Sequence, residues 1–335
     1  MSLDYLCGMN TPLPNIRHLS VADLEAYFES IGDKKFRVKQ VHEWIWQKHA
    51  HSFNAMSNLS KDLRAKLSSD FTLPALQVDA TQFSGDGTIK SRFKTFDGHF
   101  IEGVLIPTDE RKTACVSSQI GCSLSCKFCA TGYMDKKRNL TYDEIYDQVV
   151  LINQQSEKTF EKKLTIIVFM GMGEPLMNYA NVLKAIERIS AEDGLFMSPK
   201  RITVSTAGVA KQIRKLGDDK VRFKMAVSLH AANDSKRNGI MPINESNNIK
   251  VLIEALNYFY KQTGNEITLE YILFKNLNDS EKDAEELPKI YRPVPADLIN
   301  TIESHHNDAF RYTKPDQESR HHFTGLLESH KVKAG

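Results

Sequence analysis

From residue 113 onward the chain repeats one event six times. A short apolar run rich in Val, Ile, Phe or Thr is followed by a stretch whose apolar residues recur at helical spacing. The runs are 113–119, 164–170 (LTIIVFM), 201–206 (RITVST), 223–229 (FKMAVSL), 267–274 (ITLEYILF) and 296–302. The helical stretches are 141–155, 178–190, 208–216, 249–262, 281–291 and 316–329. Strands separated by helices pair in parallel, because a parallel neighbour needs a crossover long enough to return to the same edge. The pattern therefore predicts an α/β fold whose sheet is open or curled into a partial barrel. Right-handed crossovers place the loops after the strands on one shared face, where α/β proteins build their sites. Here those loops hold a cysteine cluster, GMGEP at 171–175, a segment opening at Ser205, and Ser228-Leu229-His230.

The first part of the chain reads differently. Leu24, Phe28 and Ile31 mark a helix over 21–31, closed by Gly32. Val38, Val41 and Ile45 mark another over 37–49, and 59–67 supplies a third. A turn at SGDGT (84–88) precedes a hairpin of 89–95 and 99–106 around Asp97-Gly98. This predicts a helical accessory domain with the start of the hairpin in 1–95, and the α/β domain in 96–335.

With 44 Lys+Arg against 42 Asp+Glu in 335 residues, the net charge is +2, which excludes a basic tail protein and a disordered acidic chain. The longest apolar run is far shorter than the roughly 20 residues of a membrane helix. The first residues lack a basic flank with an apolar stretch, so a soluble cytoplasmic protein is expected. Charge is uneven: 201–250 holds 10 Lys+Arg and 4 Asp+Glu. That stretch either faces a polyanion or is a solvated helix surface.

The five cysteines are Cys7, Cys115, Cys122, Cys126 and Cys129. An odd number bunched mid-chain is not a disulfide framework. Cys122, Cys126 and Cys129 form CxxxCxxC. Three thiolates leave a structural zinc one ligand short, unless Cys115 or a distant His completes it. They also suit a 4Fe–4S cluster with one iron left open for a small ligand.

CxxxCxxC with Phe128 before the last cysteine resembles the radical S-adenosylmethionine superfamily. Wider segments narrow the match. They are CVSSQIGCSLSCKFCATG (115–132), RNLTYDEIYDQV (138–149), FMGMGEPLMNYANVLKAI (169–186), RITVSTAGV (201–209) and AVSLHAANDSKRNGIMPIN (226–244). FRVKQVHEWIWQK and MSNLSKDLR match in the N-terminal part. Together these resemble the RNA adenine carbon-2 methyltransferases (RlmN-like, with the Cfr-like carbon-8 enzymes as relatives). The resemblance implies a partial (β/α)6 radical-SAM barrel with a small N-terminal helical accessory domain and a β-hairpin. It implies a 4Fe–4S cluster on Cys122, Cys126 and Cys129. S-adenosylmethionine would be held by Gly173, Glu174, Ser205, Ser228, Leu229 and His230. Glu102 would be the proton acceptor and Cys115 the resolving thiol. Implied partners are 23S rRNA, tRNA and a reducing electron donor such as flavodoxin or ferredoxin, acting on a monomeric chain away from membranes. The alternatives are the carbon-8 reaction and a non-catalytic RNA-binding remnant.

In the resembled family a methyl-carrying cysteine follows the barrel, in a segment like RGxDIxAACGQL. No cysteine follows Cys129 here, and Ser304-His305-His306 stands where the family has YNP, so His305 replaces an Asn that contacts the cofactor. The expectation is a chain truncated at the C-terminus or divergent, impaired in completing methyl transfer. The His305-His306 and His321-His322 pairs are expected to be solvated rather than metal ligands, and Cys7 is given no role.

Overall fold

The computed structural model describes residues 13–296, 298–303 and 312–334. Cys7, Ser304, His305 and His306 lie outside the described residues.

Three short helices come first: α1 (Val21–Ser30), α2 (Phe36–Trp46) and α3 (Lys61–Asp70). Ser20 closes a capping box with Asp23, and Ser60 accepts from the Leu63 N–H, so each helix starts where its polar cap satisfies free backbone donors. Leu24 and Phe28, Val38, Val41 and Ile45, and Leu63 and Leu67 turn inward at helical spacing.

One nine-stranded sheet carries the rest. Its order is β1 (Gln77–Phe83), β2 (Ile89–Lys94), β3 (Phe100–Pro107), β4 (Lys112–Cys115), β7 (Ile166–Phe169), β8 (Ile202–Thr206), β9 (Lys224–Ser228), β10 (Ile267–Leu273) and β11 (Leu298–Glu303). The pairs from β1 to β4 are antiparallel, and all pairs from β4 to β11 are parallel. A separate short ribbon joins β5 (Gln119–Ile120) to β6 (Arg138–Asn139). The helices between are α4 (Tyr142–Phe160), α5 (Tyr179–Ser190), α6 (Ala210–Asp218), α7 (Asp234–Ile240), α8 (Ile249–Thr263), α9 (Glu281–Tyr291) and α10 (Gln317–Ser329).

The parallel strands follow one another without reversal, as in a (β/α) barrel and unlike a doubly wound sheet, where the order reverses at a switch point. β4 and β11 do not pair, and β4 pairs with β3 instead, so the barrel is partial. Alternation along the strands marks its two faces. Ile167, Phe169, Ile202, Val204, Met225 and Val227 are buried under the helices, whereas Val168, Thr203, Ser205, Lys224 and Ser228 are half-buried on the other face. The helices supply matching stripes, such as Val182, Ala185, Ile186 and Ile189 on α5.

Every predicted strand–helix unit is present. β1 and α7 were not anticipated. β1 lacks apolar alternation because all seven of its residues are exposed. α7 has about two turns and only two buried residues, Arg237 and Ile240, so it carries no apolar period. The predicted strand 113–119 stops at Cys115: the Val116 N–H still donates to the Val168 carbonyl of β7, but the Ser117 N–H turns to the Gln148 side chain, and Ser118 and Gln119 donate their N–H to the Met172 carbonyl of the GMGEP loop. Of the basic 201–250 stretch, Lys220, Arg222 and Lys224 line one surface pocket, and several charges of the stretch are already engaged. Lys224 pairs with Glu266, Lys236 with Asp283 at 2.6 Å, and Arg237 is buried.

Candidate active site

The site begins with the loop after β4. Its chain turns repeatedly: the Cys129 N–H donates to the Cys126 carbonyl at 3.2 Å, and Gly132 N–H to the Cys129 carbonyl at 2.9 Å. A Cβ on Gly132 would lie 2.4 Å from the Cys126 carbonyl oxygen, so only glycine allows this return. The turns bring Cys122, Cys126 and Cys129 to one cavity of about 240 Å³, all three as free thiols. Phe128 lies edge-on to the His230 ring at 4.8 Å and anchors the loop against Phe274.

The opposite wall comes from the strand ends. Gly173 adopts φ +92°, and a Cβ there would meet the Gln119 side chain at 2.4 Å. That close approach lets Gln119 accept from the Glu174 N–H at 2.9 Å. Glu174 is 3% exposed, so it is a buried carboxylate and not a solvated surface charge. Its Oε1 accepts from Leu176 N–H at 3.0 Å and its Oε2 from Ala207 N–H at 2.7 Å. Burial pushes its carboxyl upward, against these donors. A carboxylate has about four acceptor positions, which leaves capacity for a ligand ammonium.

Ser205, at the end of β8, and Ser228, at the end of β9, line the same cavity, as does His230. His230 holds φ +55° and is buried, and burial together with Arg237 pushes its ring down to about 3. The Ile272 N–H donates to its Nδ1 at 3.1 Å, so the neutral ring keeps its hydrogen on Nε2 as a fixed donor. One further residue belongs to this wall. Glu270 on β10 is register-paired with Ser228 and lines the cavity. Burial raises its carboxyl to about 7, offset in part by the Asn300 amide donating at 2.9 Å. A lone Glu in the apolar run ITLEYILF was the signal that could have flagged it.

The structure separates the remaining predicted residues from this cavity. Leu229 contributes its N–H to the Glu270 carbonyl at 2.9 Å, but its side chain lies in the core. Cys115 is half-buried on β4, paired with Val104 and Val168, and burial pushes its thiol up to about 11. Glu102 on β3 is half-exposed and pairs with Lys90 at 2.8 Å. Because Val104 is opposite Cys115, Glu102 lies on the same sheet face, two residues along. The His321-His322 pair is exposed on α10, with His322 against Glu281 at 3.1 Å.

The donor set fits an iron–sulfur cluster better than zinc. Among the described residues no three His, Cys, Asp or Glu side chains gather tightly enough to hold one metal ion. Cys115, the candidate fourth zinc ligand, does not line the cavity. Three thiolates around a shared space, each free for its own metal atom, are what a multi-iron cluster requires. Burial and mutual repulsion raise Cys126 to about 12 and also raise Cys122, so these groups are neutral until a cationic centre draws off their protons.

Comparison with known proteins agrees with this geometry. A family model described as the ribosomal RNA large subunit methyltransferase N-terminal domain matches residues 14–73, and one for the radical SAM superfamily matches 116–287. The chain is 54% identical over 304 residues to a probable dual-specificity RNA methyltransferase RlmN of Cytophaga hutchinsonii, covering 89% of this chain and 83% of that one. It is 48% identical to the one from Christiangramia forsetii, covering 97% and 92%. The crystal structure of a radical SAM methyltransferase from Sphaerobacter thermophilus matches with a TM-score of 0.90 and 36% identity, over 97% of this chain and 94% of that one. No helix among the described residues is long and apolar enough to cross a membrane. With the fold, the three-cysteine cavity and these likenesses in agreement, the chain belongs to the RlmN family of radical SAM dual-specificity RNA methyltransferases.

Proposed function

We propose that the protein methylates carbon-2 of an adenine in 23S rRNA and in certain tRNAs, with a 4Fe–4S cluster and S-adenosylmethionine as cofactors. The observation that carries this is the convergence of three thiols, a buried carboxylate and two strand-end serines on one cavity at the C-terminal ends of parallel strands. Relatives named dual-specificity RNA methyltransferases favour this reading over carbon-8 methylation and over a non-catalytic remnant. Carbon-2 of adenine is electron-poor and resists simple displacement from a sulfonium. When bound, the cluster and S-adenosylmethionine supply the one-electron chemistry that such a carbon requires.

The chain's own groups then have definite tasks. Cys122, Cys126 and Cys129 hold the cluster. Glu174 takes the ammonium of S-adenosylmethionine, and Gly173 lets the backbone come close to it. Ser205, Ser228 and the Nε2–H of His230 orient the rest of the cofactor, while the Leu229 backbone fixes the turn between the last two. Cys115 and Glu102, on the same sheet face but away from the cofactor wall, act on the RNA side as resolving thiol and proton acceptor. An external one-electron reductant of the flavodoxin or ferredoxin class serves the cluster of a monomeric chain.

Glu174→Gln tests the cofactor assignment. It keeps one acceptor oxygen but loses the charge, and a charge-assisted hydrogen bond contributes about 1.5–3 kcal/mol. Affinity for S-adenosylmethionine, measured by calorimetry on the reconstituted protein, is expected to fall about ten- to hundredfold. An unchanged affinity would remove Glu174 from the cofactor site.

The reaction is tested by mass analysis of adenosine from treated rRNA and tRNA. A polypeptide of these 335 residues holds no cysteine beyond Cys129 to carry a methyl group. It is expected to form 5′-deoxyadenosine with little or no 2-methyladenosine. Appending a segment of the RGxDIxAACGQL type is expected to give 2-methyladenosine. Methylation at carbon-8 in that extended protein would overturn the carbon-2 reading.

A further inference from the structure

The cysteine loop rests on α7: the Lys127 N–H donates to the Ile240 carbonyl at 2.9 Å. One residue of that short helix, Arg237, is 0% exposed. All five of its N–H positions are engaged. Nε donates to the Leu229 carbonyl at 3.1 Å. Nη1 donates to Asn244 Oδ1 at 2.6 Å and to the Asn247 carbonyl at 3.4 Å. Nη2 donates to the carbonyls of Ala207 at 2.8 Å and Ser228 at 2.9 Å.

Every one of these acceptors is neutral. The neighbouring Lys236 takes the buried Asp283, and among the described residues no carboxylate forms an ion pair with Arg237. Burial lowers its guanidinium only to about 10, so it stays charged at neutral pH. A buried cation with neutral partners alone is unfavourable unless an anion nearby offsets it. Two of its acceptors, Ala207 and Ser228, belong to residues that line the cysteine cavity. The opposite charges that act on it are the Cys126 sulfur, once ionised on a cluster, and Asp234, which is exposed to water. Water screens the second far more than the first.

We propose that Arg237 is the fixed counter-charge of the cluster held by Cys122, Cys126 and Cys129, and that it sets the reduction potential of that cluster. This rests on the cluster reading of the cysteine loop. Three thiolates outweigh the positive charge of a four-iron core, so the assembly is anionic and gains one further negative charge on reduction by one external electron. A permanent positive charge beside it, in a medium of low dielectric, favours the reduced form. Arg237 has no N–H left to give to the cluster or to S-adenosylmethionine. It is therefore a positioning residue acting through charge, and its hydrogen bonds serve to hold that charge still. The same bonds tie the ends of β8 and β9 together, so a purely structural role must be separated experimentally.

The readout is the midpoint potential of the reconstituted cluster, followed by electron paramagnetic resonance during a reductive titration with dithionite. Arg237→Gln removes the charge and retains part of the bonding. It is expected to lower the equilibrium constant for reduction on the order of tenfold, a shift of about 59 mV to more negative potential for one electron. Arg237→Lys keeps the charge with fewer bonds and is expected to stay near the parent value. An equal shift in both variants would mean that the bonding, not the charge, matters, and would overturn the proposal.

A second variant leaves the arginine in place. Asn244 donates to Asp234 Oδ1 at 2.9 Å, so D234N combined with N244D exchanges donor and acceptor. It puts a carboxylate on Nη1 without changing the net charge of the protein. This pair is expected to shift the potential in the same direction as Arg237→Gln, and an unchanged potential would overturn the proposal even if Arg237→Gln fails to fold. Failure of the parent protein to take up iron is a different result, and would overturn the cluster reading itself.

Discussion

Replacing Cys126 by alanine is expected to reduce bound iron from about four atoms per chain to background, since three thiolates are the minimum that hold such a cluster. Formation of 5′-deoxyadenosine is expected to disappear with it. The fold should survive. Cys126 is half-buried, and its loop is held by backbone bonds: Lys127 to Ile240, Cys129 to Cys126, Gly132 to Cys129. Loss of a small half-buried side chain costs on the order of 1 kcal/mol. Iron analysis alongside circular dichroism separates the two effects. Cys115→Ala is the internal control: Cys115 does not line the cavity, so this variant is expected to bind iron like the parent. Loss of iron in the control would place Cys115 among the ligands and revive the four-ligand alternative.

The second large effect concerns stability, where the helical segment meets α4. Arg17 Nη1 donates to Asp147 Oδ1 at 2.7 Å, with the two side chains 2% and 9% exposed. The Leu76 N–H donates to the other carboxylate oxygen at 3.1 Å, and the Tyr142 hydroxyl donates to the Arg17 carbonyl. Arg17→Ala leaves Asp147 buried and uncompensated, which typically costs 3–5 kcal/mol. The urea midpoint is expected to fall accordingly. Removing both charges with Arg17→Met and Asp147→Leu is expected to recover most of the loss, because apolar groups of similar size escape the desolvation penalty. A double variant as unstable as the single one would show that the backbone partners, Leu76 above all, dominate this contact.

Legibility in the sequence followed the physical signal each element carries. The six strand–helix units have an apolar period because each packs one face on the core, so their order and the shared loop end could be read directly. The cysteines could be read because their spacing is chemistry rather than packing. Glu174 was placed by its glycine-flanked loop, but its depth of burial was not. That burial depends on Gln119 and Ala207, 55 and 33 residues away along the chain. Arg237 was invisible for a related reason. It sat in a stretch whose charge suggested a solvated or polyanion-facing surface, and only the folded chain brings five acceptors around it. Leu229 shows the converse. Its place in the Ser-Leu-His run is backbone work, and its side chain is ordinary core.

The antiparallel meander has one more consequence, and it concerns how the protein behaves at high concentration. β1 ends the nine-stranded sheet, so among the described residues no strand lies beside its outer row of N–H and C=O groups. Such a border invites a foreign strand to add, and exposed Val78 and Phe83 would help it. Two features work against that. The register slips between Val78 and Ala80, which breaks the straight ladder, and Asp79 at the slip is held by Arg92 at 2.6 Å. The irregularity in β1 thus acts as a guard against self-association, at the margin of the sheet farthest in strand order from β11.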